Sequence, residues 1–143
     1  MDNCSNSLTW VGVEILQIMY QIPRSIEMNL LESDLISEPP ASCVGFTKAM
    51  LKVGVSLPLA PYIRKLLHSF GLAPAQLVPT AWRVIIGMWA VWRKLGFSDP
   101  SVIKFQYLFR LCRNPKTYGL WHFKAYEDSN EILLNHVHIS IKR

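Results

Sequence analysis

Residues 79–96 read PTAWRVIIGMWAVWRKLG and give the strongest helix signal in the chain. Thr80 is a good N-cap and Gly96 a good stop, which predicts a helix over Ala81–Leu95. Two apolar stripes run along it: Trp82, Ile85, Ile86, Trp89 and Trp92, and then Val84, Met88, Val91 and Leu95. Only a thin face is small or basic, and it consists of Arg83, Gly87, Ala90 and Lys94. A helix that is apolar on nearly every side is normally buried, so we expect this one at the centre of the fold.

Shorter helices are predicted upstream of this stretch. After Pro61, which suits a first helical turn, the apolar residues follow a 3.6-residue period until Gly71 ends the pattern. A helix is also predicted over Val44–Val53, and Pro74–Leu77 has room for a single turn. Two or three helices therefore precede the central one within the same region.

The pattern downstream changes from helical to alternating. Ser98-Asp99-Pro100 combines a cap with a first-turn proline and predicts a helix to about Cys112, with Phe105, Leu108, Phe109 and Cys112 facing the core. Apolar and polar residues then alternate in 120–126 and again in 135–141, which predicts a hairpin with one solvated face. The expected fold is mainly α, a compact domain of four to six helices with a short C-terminal β-hairpin.

The first 42 residues are set apart by composition. Leu8–Ile22 favours a short helix ended by Pro23, although alternation within it leaves a strand open. Ser25–Ile36 favours a second amphipathic helix capped by Ser25, and Glu38-Pro39-Pro40 then breaks the chain. We therefore divide the chain into an acidic helical arm at 1–42, a basic helical domain at 43–126 and a C-terminal tail at 127–143.

Charge follows the same division. Residues 1–42 hold one base and six acids, residues 43–126 twelve bases and one acid, and residues 127–143 two bases and three acids. The net charge of +5 therefore conceals a strongly basic middle between acidic ends. Such an asymmetry suggests a polyanionic partner, or an acidic arm that folds back over a basic body.

Several protein classes are excluded by composition. No apolar run approaches the ~20 residues that span a bilayer, and the N-terminus lacks the basic start of a secretory signal. Three widely spaced cysteines, with no Cys-x-x-Cys, argue against a disulfide scaffold or structural zinc. We expect a soluble protein of the nucleus or cytoplasm that is not secreted and has no membrane partner.

Catalytic constellations are missing from the basic region. Asp99 is its only carboxylate and its setting is that of a helix cap, so paired-carboxylate and acidic-metal chemistry are excluded there. Neither a glycine-rich phosphate loop nor Gly-x-Ser-x-Gly occurs. Cys112 fits a core thiol, and His122 with His136 and His138 fits an exposed hairpin face better than a metal site. We predict no enzymatic activity, cofactor, metal or small-molecule substrate.

A family likeness runs from Val44 to about Tyr126. It is carried, in order, by Gly54–Tyr62 (GVSLPLAPY), Phe70–Leu77 (FGLAPAQL), Pro79–Arg83 (PTAWR) with Gly87, Phe105–Phe109 (FQYLF) and Gly119–Phe123 (GLWHF). Together these segments resemble a plant gypsy-type retrotransposon-encoded domain. Thr80 departs from the asparagine more usual in that family, and the likeness stops after Tyr126, as expected of an isolated N-terminal domain or a truncated element copy.

The resemblance implies a structural or accessory component of a retroelement rather than its protease, reverse transcriptase or integrase. Nonspecific contact with RNA or DNA is the favoured role, through a basic face made of Arg64, Lys65, Arg83, Arg93, Lys94, Lys104, Arg110, Arg113 and Lys116. The tryptophans at 82, 89, 92 and 121 are of the kind that stacks bases, but their spacing is more typical of a core. The alternatives are a module that binds itself or another element protein, and a remnant without maintained activity.

Overall fold

The computed structural model describes residues 9–30, 39–98 and 100–126. Within them the chain forms five α-helices, one 3-10 turn and a two-stranded antiparallel hairpin, so the predicted fold class is confirmed. The elements are α1 (Trp10–Met19), α2 (Lys48–Lys52), α3 (Pro61–Phe70), the 3-10 turn Pro74–Gln76, α4 (Pro79–Lys94), α5 (Val102–Leu108), β1 (Phe109–Arg113) and β2 (Trp121–Ala125).

Helix α3 follows its sequence pattern closely. Its inward residues are buried, namely Tyr62, Ile63, Leu66 and Leu67. Pro61 lies in the first turn, and Gly71 after the last turn has a left-handed φ of 65°. The Gly71 N–H donates to the His68 carbonyl and the Leu72 N–H to the Leu67 carbonyl, each at 3.0 Å. This Schellman motif needs the left-handed backbone that glycine adopts without a steric penalty.

Two glycine substitutions are expected to change stability in opposite directions. A methyl group at Gly71 or at Gly87 would meet no heavy atom within 4 Å, so backbone conformation alone decides each outcome. Gly71→Ala places a Cβ at positive φ and is expected to cost about 1 kcal/mol. Gly87→Ala lies inside α4 without a positive φ and is expected to add about 0.5–1 kcal/mol.

Urea unfolding of the two alanine variants and of the wild type measures this difference directly. Equal effects of the two substitutions, in either direction, would contradict the assigned backbone conformations.

Helix α4 begins two residues earlier than predicted. Val78 is the N-cap and Pro79 the first helical residue, so Thr80 lies inside the first turn and is not the cap. The reason is that proline suits the first helical position, where its missing N–H needs no partner. The N–H of the N-cap residue Val78 donates to the Trp121 carbonyl at 3.0 Å, so the start of α4 is hydrogen-bonded to β2.

Burial of α4 is restricted to its first half, contrary to the prediction of a helix buried on all sides. Ala81, Trp82 and Ile85 are buried, whereas Val91 and Leu95 are about half exposed. Helix α2 and strand β2 pack against α4. Val91 and Leu95 at its far end therefore form part of the surface.

The helix predicted from Ser98 to Cys112 is wrong at both ends. It begins at Val102 after the N-cap Ser101, which makes no side-chain capping bond, while Asp99 lies outside the described residues. It ends at Leu108, and the chain continues directly as β1. Phe105 and Phe109 are both buried and four residues apart, so a helical period fitted a segment that is half helix and half strand.

The described hairpin pairs β2 with β1. Strand β2 coincides with the predicted strand at 120–126, whereas the predicted partner strand at 135–141 lies outside the described residues. In this register Leu111 lies opposite Phe123 and the two share the core side of the hairpin. Phe123 also packs against Phe105 of α5, with ring centroids 5.0 Å apart and an edge-to-face geometry.

The N-terminal segment is a helix that stops short of Pro23. Helix α1 is capped by the Thr9 side chain and ends at Met19. The helix predicted from Ser25 is wrong over 25–30, which form a turn and extended chain, and the rest of it lies outside the described residues. A turn closes there instead, because the Ile26 N–H donates to the Pro23 carbonyl at 2.9 Å. None of the described helices is both long and apolar enough to cross a membrane.

Helix α2 is shorter than the predicted 44–53. It begins after Thr47, whose hydroxyl accepts from the Met50 N–H at 3.3 Å, and this cap fixes the start of the helix. Met50 and Leu51 are buried, whereas Lys48 and Lys52 are exposed.

A buried tyrosine makes the core sensitive to alkaline pH. Burial raises the pKa of Tyr62 above its usual range, and its hydroxyl has no hydrogen-bond partner among the described residues. Because the folded pKa exceeds the unfolded value near 10, the Tyr62 contribution to stability is complete below pH ~10. It is lost above that pH, by about 1.4 kcal/mol for each pH unit up to the folded pKa.

Tyr62→Phe is therefore expected to lose less unfolding free energy than the wild type when the pH rises above about 10. At pH 7 it is expected to leave stability unchanged or raised, because it also removes an unpartnered buried hydroxyl. Urea unfolding at pH 7 and pH 10.5 measures both effects. A phenylalanine variant with the wild-type alkaline loss, or one clearly destabilised at pH 7, would contradict this assignment.

Candidate nucleic-acid interface

All nine basic residues singled out from the sequence are exposed. Helix α3 carries Arg64 and Lys65, and α4 carries Arg83, Arg93 and Lys94. Lys104 lies on α5, and the hairpin and its turn carry Arg110, Arg113 and Lys116. On α4 the narrow face of Arg83, Gly87, Ala90 and Lys94 is exposed along its whole length, as its composition predicts.

The sequence around these cations holds almost no acid. Residues 43–126 include twelve lysines and arginines and a single acid, Asp99, which lies outside the described residues. A solvated cationic side chain in such a setting is free to contact an external anion. The positive potential of the twelve charges also adds up over the surface instead of cancelling locally.

The hairpin places two cations directly opposite each other. Arg110 on β1 is the register partner of Lys124 on β2, and both are exposed. Like charges directly across two strands are unfavourable for the hairpin itself. A phosphate bound between them would convert this repulsion into two attractive contacts.

Three cations lie over tryptophan rings. Arg93 lies 5.5 Å from the ring centroid of Trp89, and Lys104 lies 4.9 Å from that of Trp92. Arg113 lies 5.4 Å from Trp121, its register partner in the hairpin. Each pair is a cation–π contact, and each tryptophan is half-buried. Of the four tryptophans at 82, 89, 92 and 121 that the sequence favoured as core residues, Trp82 alone is fully buried.

The end of α4 gathers a mixed aromatic and basic surface. Gly96 has a φ of 81°, and the Phe97 N–H donates to the Trp92 carbonyl at 3.3 Å, in the same kind of ending as α3. This turn brings the Phe97 ring back over Trp92, with centroids 5.2 Å apart. The second side of this surface is α5, which supplies Lys104 and Tyr107.

A groove of about 300 Å³ runs between α4 and α5 and is lined by Trp92, Ile103, Lys104, Tyr107 and Leu108. Exposed Phe97 packs on Trp92 beside this groove, and exposed Arg93 lies over Trp89 on the same helix. Arg93 and Lys104 belonged to the predicted set, but Phe97, Ile103 and Tyr107 did not. The i,i+4 spacing of Trp89 and Arg93 predicts their contact, whereas the groove forms where α5 lies beside Trp92 and has no sequence signature.

Cys112 is not the core thiol that its position in a predicted helix implied. It lies on β1 opposite His122, on the outer side of the ribbon that carries Arg110 and Lys124, and it is half-buried. The strand period of two, rather than a helical period, decides this orientation. No group of three or more His, Cys, Asp or Glu side chains with metal-binding geometry exists in the described part of the chain.

Comparison of the chain with protein-family models, with curated proteins and with solved structures finds no match. The resemblance to the plant retrotransposon domain therefore rests on the sequence motifs alone.

Proposed function

We propose that this chain is a non-enzymatic, retrotransposon-derived accessory protein of the nucleus or cytoplasm that binds RNA or DNA without sequence preference. The observation that carries the proposal is the exposed cationic surface of residues 43–126, which hold twelve bases and one acid. Lysine and arginine contacts to phosphate supply affinity that is independent of base sequence.

Two further features support this function over a merely solubilising charge. A surface that serves solubility alone usually carries both signs of charge interspersed, whereas a single-sign field is typical of steering toward an oppositely charged partner. The Arg110–Lys124 pair also weakens the hairpin that contains it, which is understandable if an anion normally lies beside it. The motif order that resembles a retroelement domain supports the biological setting but not the chemistry.

The full chain is expected to bind random-sequence nucleic acid with a steep dependence on salt. If six or more phosphates are contacted, the affinity falls by about 10³ or more between 50 and 200 mM salt. Fluorescence anisotropy with labelled 20-mers of several unrelated sequences measures this. Absence of binding at 50 mM salt, or binding insensitive to salt, would contradict the proposal.

A second candidate function, self-association or docking to another protein, is favoured by one observation. Helix α1 exposes five large apolar side chains, namely Trp10, Val11, Ile15, Ile18 and Met19. Sedimentation equilibrium of the wild type and of Ile18→Asp separates the two functions. A nucleic-acid-independent oligomer that the aspartate dissociates would favour the protein-interaction role.

A further inference from the structure

We propose that the groove between the end of α4 and α5 stacks unpaired nucleobases, so that the chain prefers single-stranded to duplex nucleic acid. This inference rests on the proposed function, because it identifies which form of nucleic acid the cationic surface receives. It concerns a part of the surface that the charge alone does not explain.

The groove presents flat rings to the solvent. Tyr107 is 75% exposed and Phe97 55% exposed, and the half-buried ring of Trp92 lies beside Phe97 with centroids 5.2 Å apart. Ile103 on the same rim is 77% exposed. Aromatic side chains on a surface groove are the usual platforms for successive bases of a single strand, since every base has a π face.

The charges around these rings select an anionic occupant. Lys104 lies over the Trp92 ring at 4.9 Å, Arg93 lies over Trp89, one turn before Trp92, at 5.5 Å, and Lys94 follows on α4. Asp99 is the single acid in residues 43–126. Each nucleotide of a single strand can stack its base on the aromatic rings and place its phosphate near the cations. A single strand therefore suits a surface that combines rings and cations.

Duplex nucleic acid matches the same surface poorly. Its bases are stacked on one another, and only their edges are accessible in the grooves. A duplex would therefore contact the cations through phosphates and leave the rings of Phe97 and Tyr107 uncovered. The expected consequence is a preference for single strands that depends on these two rings.

The test compares Tyr107→Leu and Phe97→Leu with the matched control Tyr118→Leu, all in the full chain. Leucine keeps apolar bulk and favours helix at 107, but has no π face. Tyr118 is 99% exposed in the turn of the hairpin, away from the groove residues in the chain. Anisotropy with a random-sequence single-stranded 20-mer and a blunt duplex of the same length gives the affinities, and circular dichroism checks that each variant is folded.

The wild type is expected to prefer the single strand. Each groove variant is expected to lose at least about fivefold in single-strand affinity, while duplex affinity and Tyr118→Leu stay within twofold. Binding to both forms with equal affinity, unchanged in the groove variants, would overturn this inference and leave the proposed function standing. No binding to either form at low salt would remove both.

A protein occupant gives a different result. If the wild type is a dimer in sedimentation equilibrium and Ile103→Asp makes it a monomer without changing nucleic-acid affinity, the groove is a protein interface and the inference is wrong. Binding-induced quenching of tryptophan fluorescence that persists in Trp92→Phe at the wild-type amplitude would also contradict stacking in this groove.

Discussion

Trp82→Ala is expected to lower the free energy of unfolding by about 3–5 kcal/mol, the usual range for a fully buried aromatic residue. Trp82 has no exposed surface, and it lies where α4 meets the core formed with α2, α3 and β2. Its removal leaves a cavity at the point that joins the helices to the hairpin. A domain of this size has about 5–15 kcal/mol of stability in total, so the variant is expected to be partly unfolded at 37 °C.

Two control variants make this prediction specific. Trp82→Phe keeps a six-membered aromatic ring and loses the rest of the indole, including an N–H that has no partner among the described residues. It is therefore expected to lower the free energy of unfolding by at most about half as much as Trp82→Ala. Tyr118→Ala removes an exposed ring in the hairpin turn and is expected to change stability by less than about 0.5 kcal/mol. Urea denaturation followed by far-ultraviolet circular dichroism gives all three values. Trp82→Ala as stable as Tyr118→Ala would contradict the described core.

Arg93→Gln combined with Lys104→Gln is expected to weaken nucleic-acid binding by about tenfold to a hundredfold near 0.1 M salt. The reason is that each lost phosphate contact also loses the release of condensed counter-ions. Lys104 lines the groove, Arg93 lies in the last turn of α4, and each side chain lies over a tryptophan ring. Anisotropy with the single-stranded 20-mer measures the loss.

The matched control is Lys48→Gln combined with Lys52→Gln on α2. Both double variants lower the net charge from +5 to +3 and replace only exposed side chains. The α2 variant is expected to retain affinity within about threefold, because residual long-range attraction is screened over ~10 Å at this salt. Equal losses in the two double variants would mean that only total charge matters and that no particular surface binds.

Local signals allowed some elements to be predicted from the sequence. Helix α3 combines Pro61, a clear 3.6-residue period and Gly71, and all three act within ten residues, so the helix forms where predicted. Strand β1 shows the opposite case. Phe105 and Phe109 satisfy a helical period, but pairing with β2 makes 109–113 a strand, and that pairing is not local. The segment from Ser25 likewise favoured a helix by composition. A turn forms there instead, in which the Ile26 N–H donates to the Pro23 carbonyl and the Gln17 side-chain amide donates to the Ile26 carbonyl.

The candidate interface could be predicted in its charges but not in its shape. Solvation places lysine and arginine at the surface, so exposure of all nine predicted residues follows from residue type. The exposure of Phe97, Ile103 and Tyr107 depends on how far the core extends along α4. An apolar helix gives no indication of which half will be covered, so the groove between α4 and α5 became visible only in the structure.

The most direct test of nucleic-acid binding by the basic surface is the slope of log affinity against log salt concentration for the single-stranded 20-mer. A steep negative slope is expected for the wild type and for Lys48→Gln/Lys52→Gln. For Arg93→Gln/Lys104→Gln the slope is expected to be shallower by about 1.4, since each single-strand phosphate contact contributes about 0.7. A wild-type slope near zero, or one that the Arg93 and Lys104 substitutions leave unchanged, would contradict binding of nucleic acid by this basic surface.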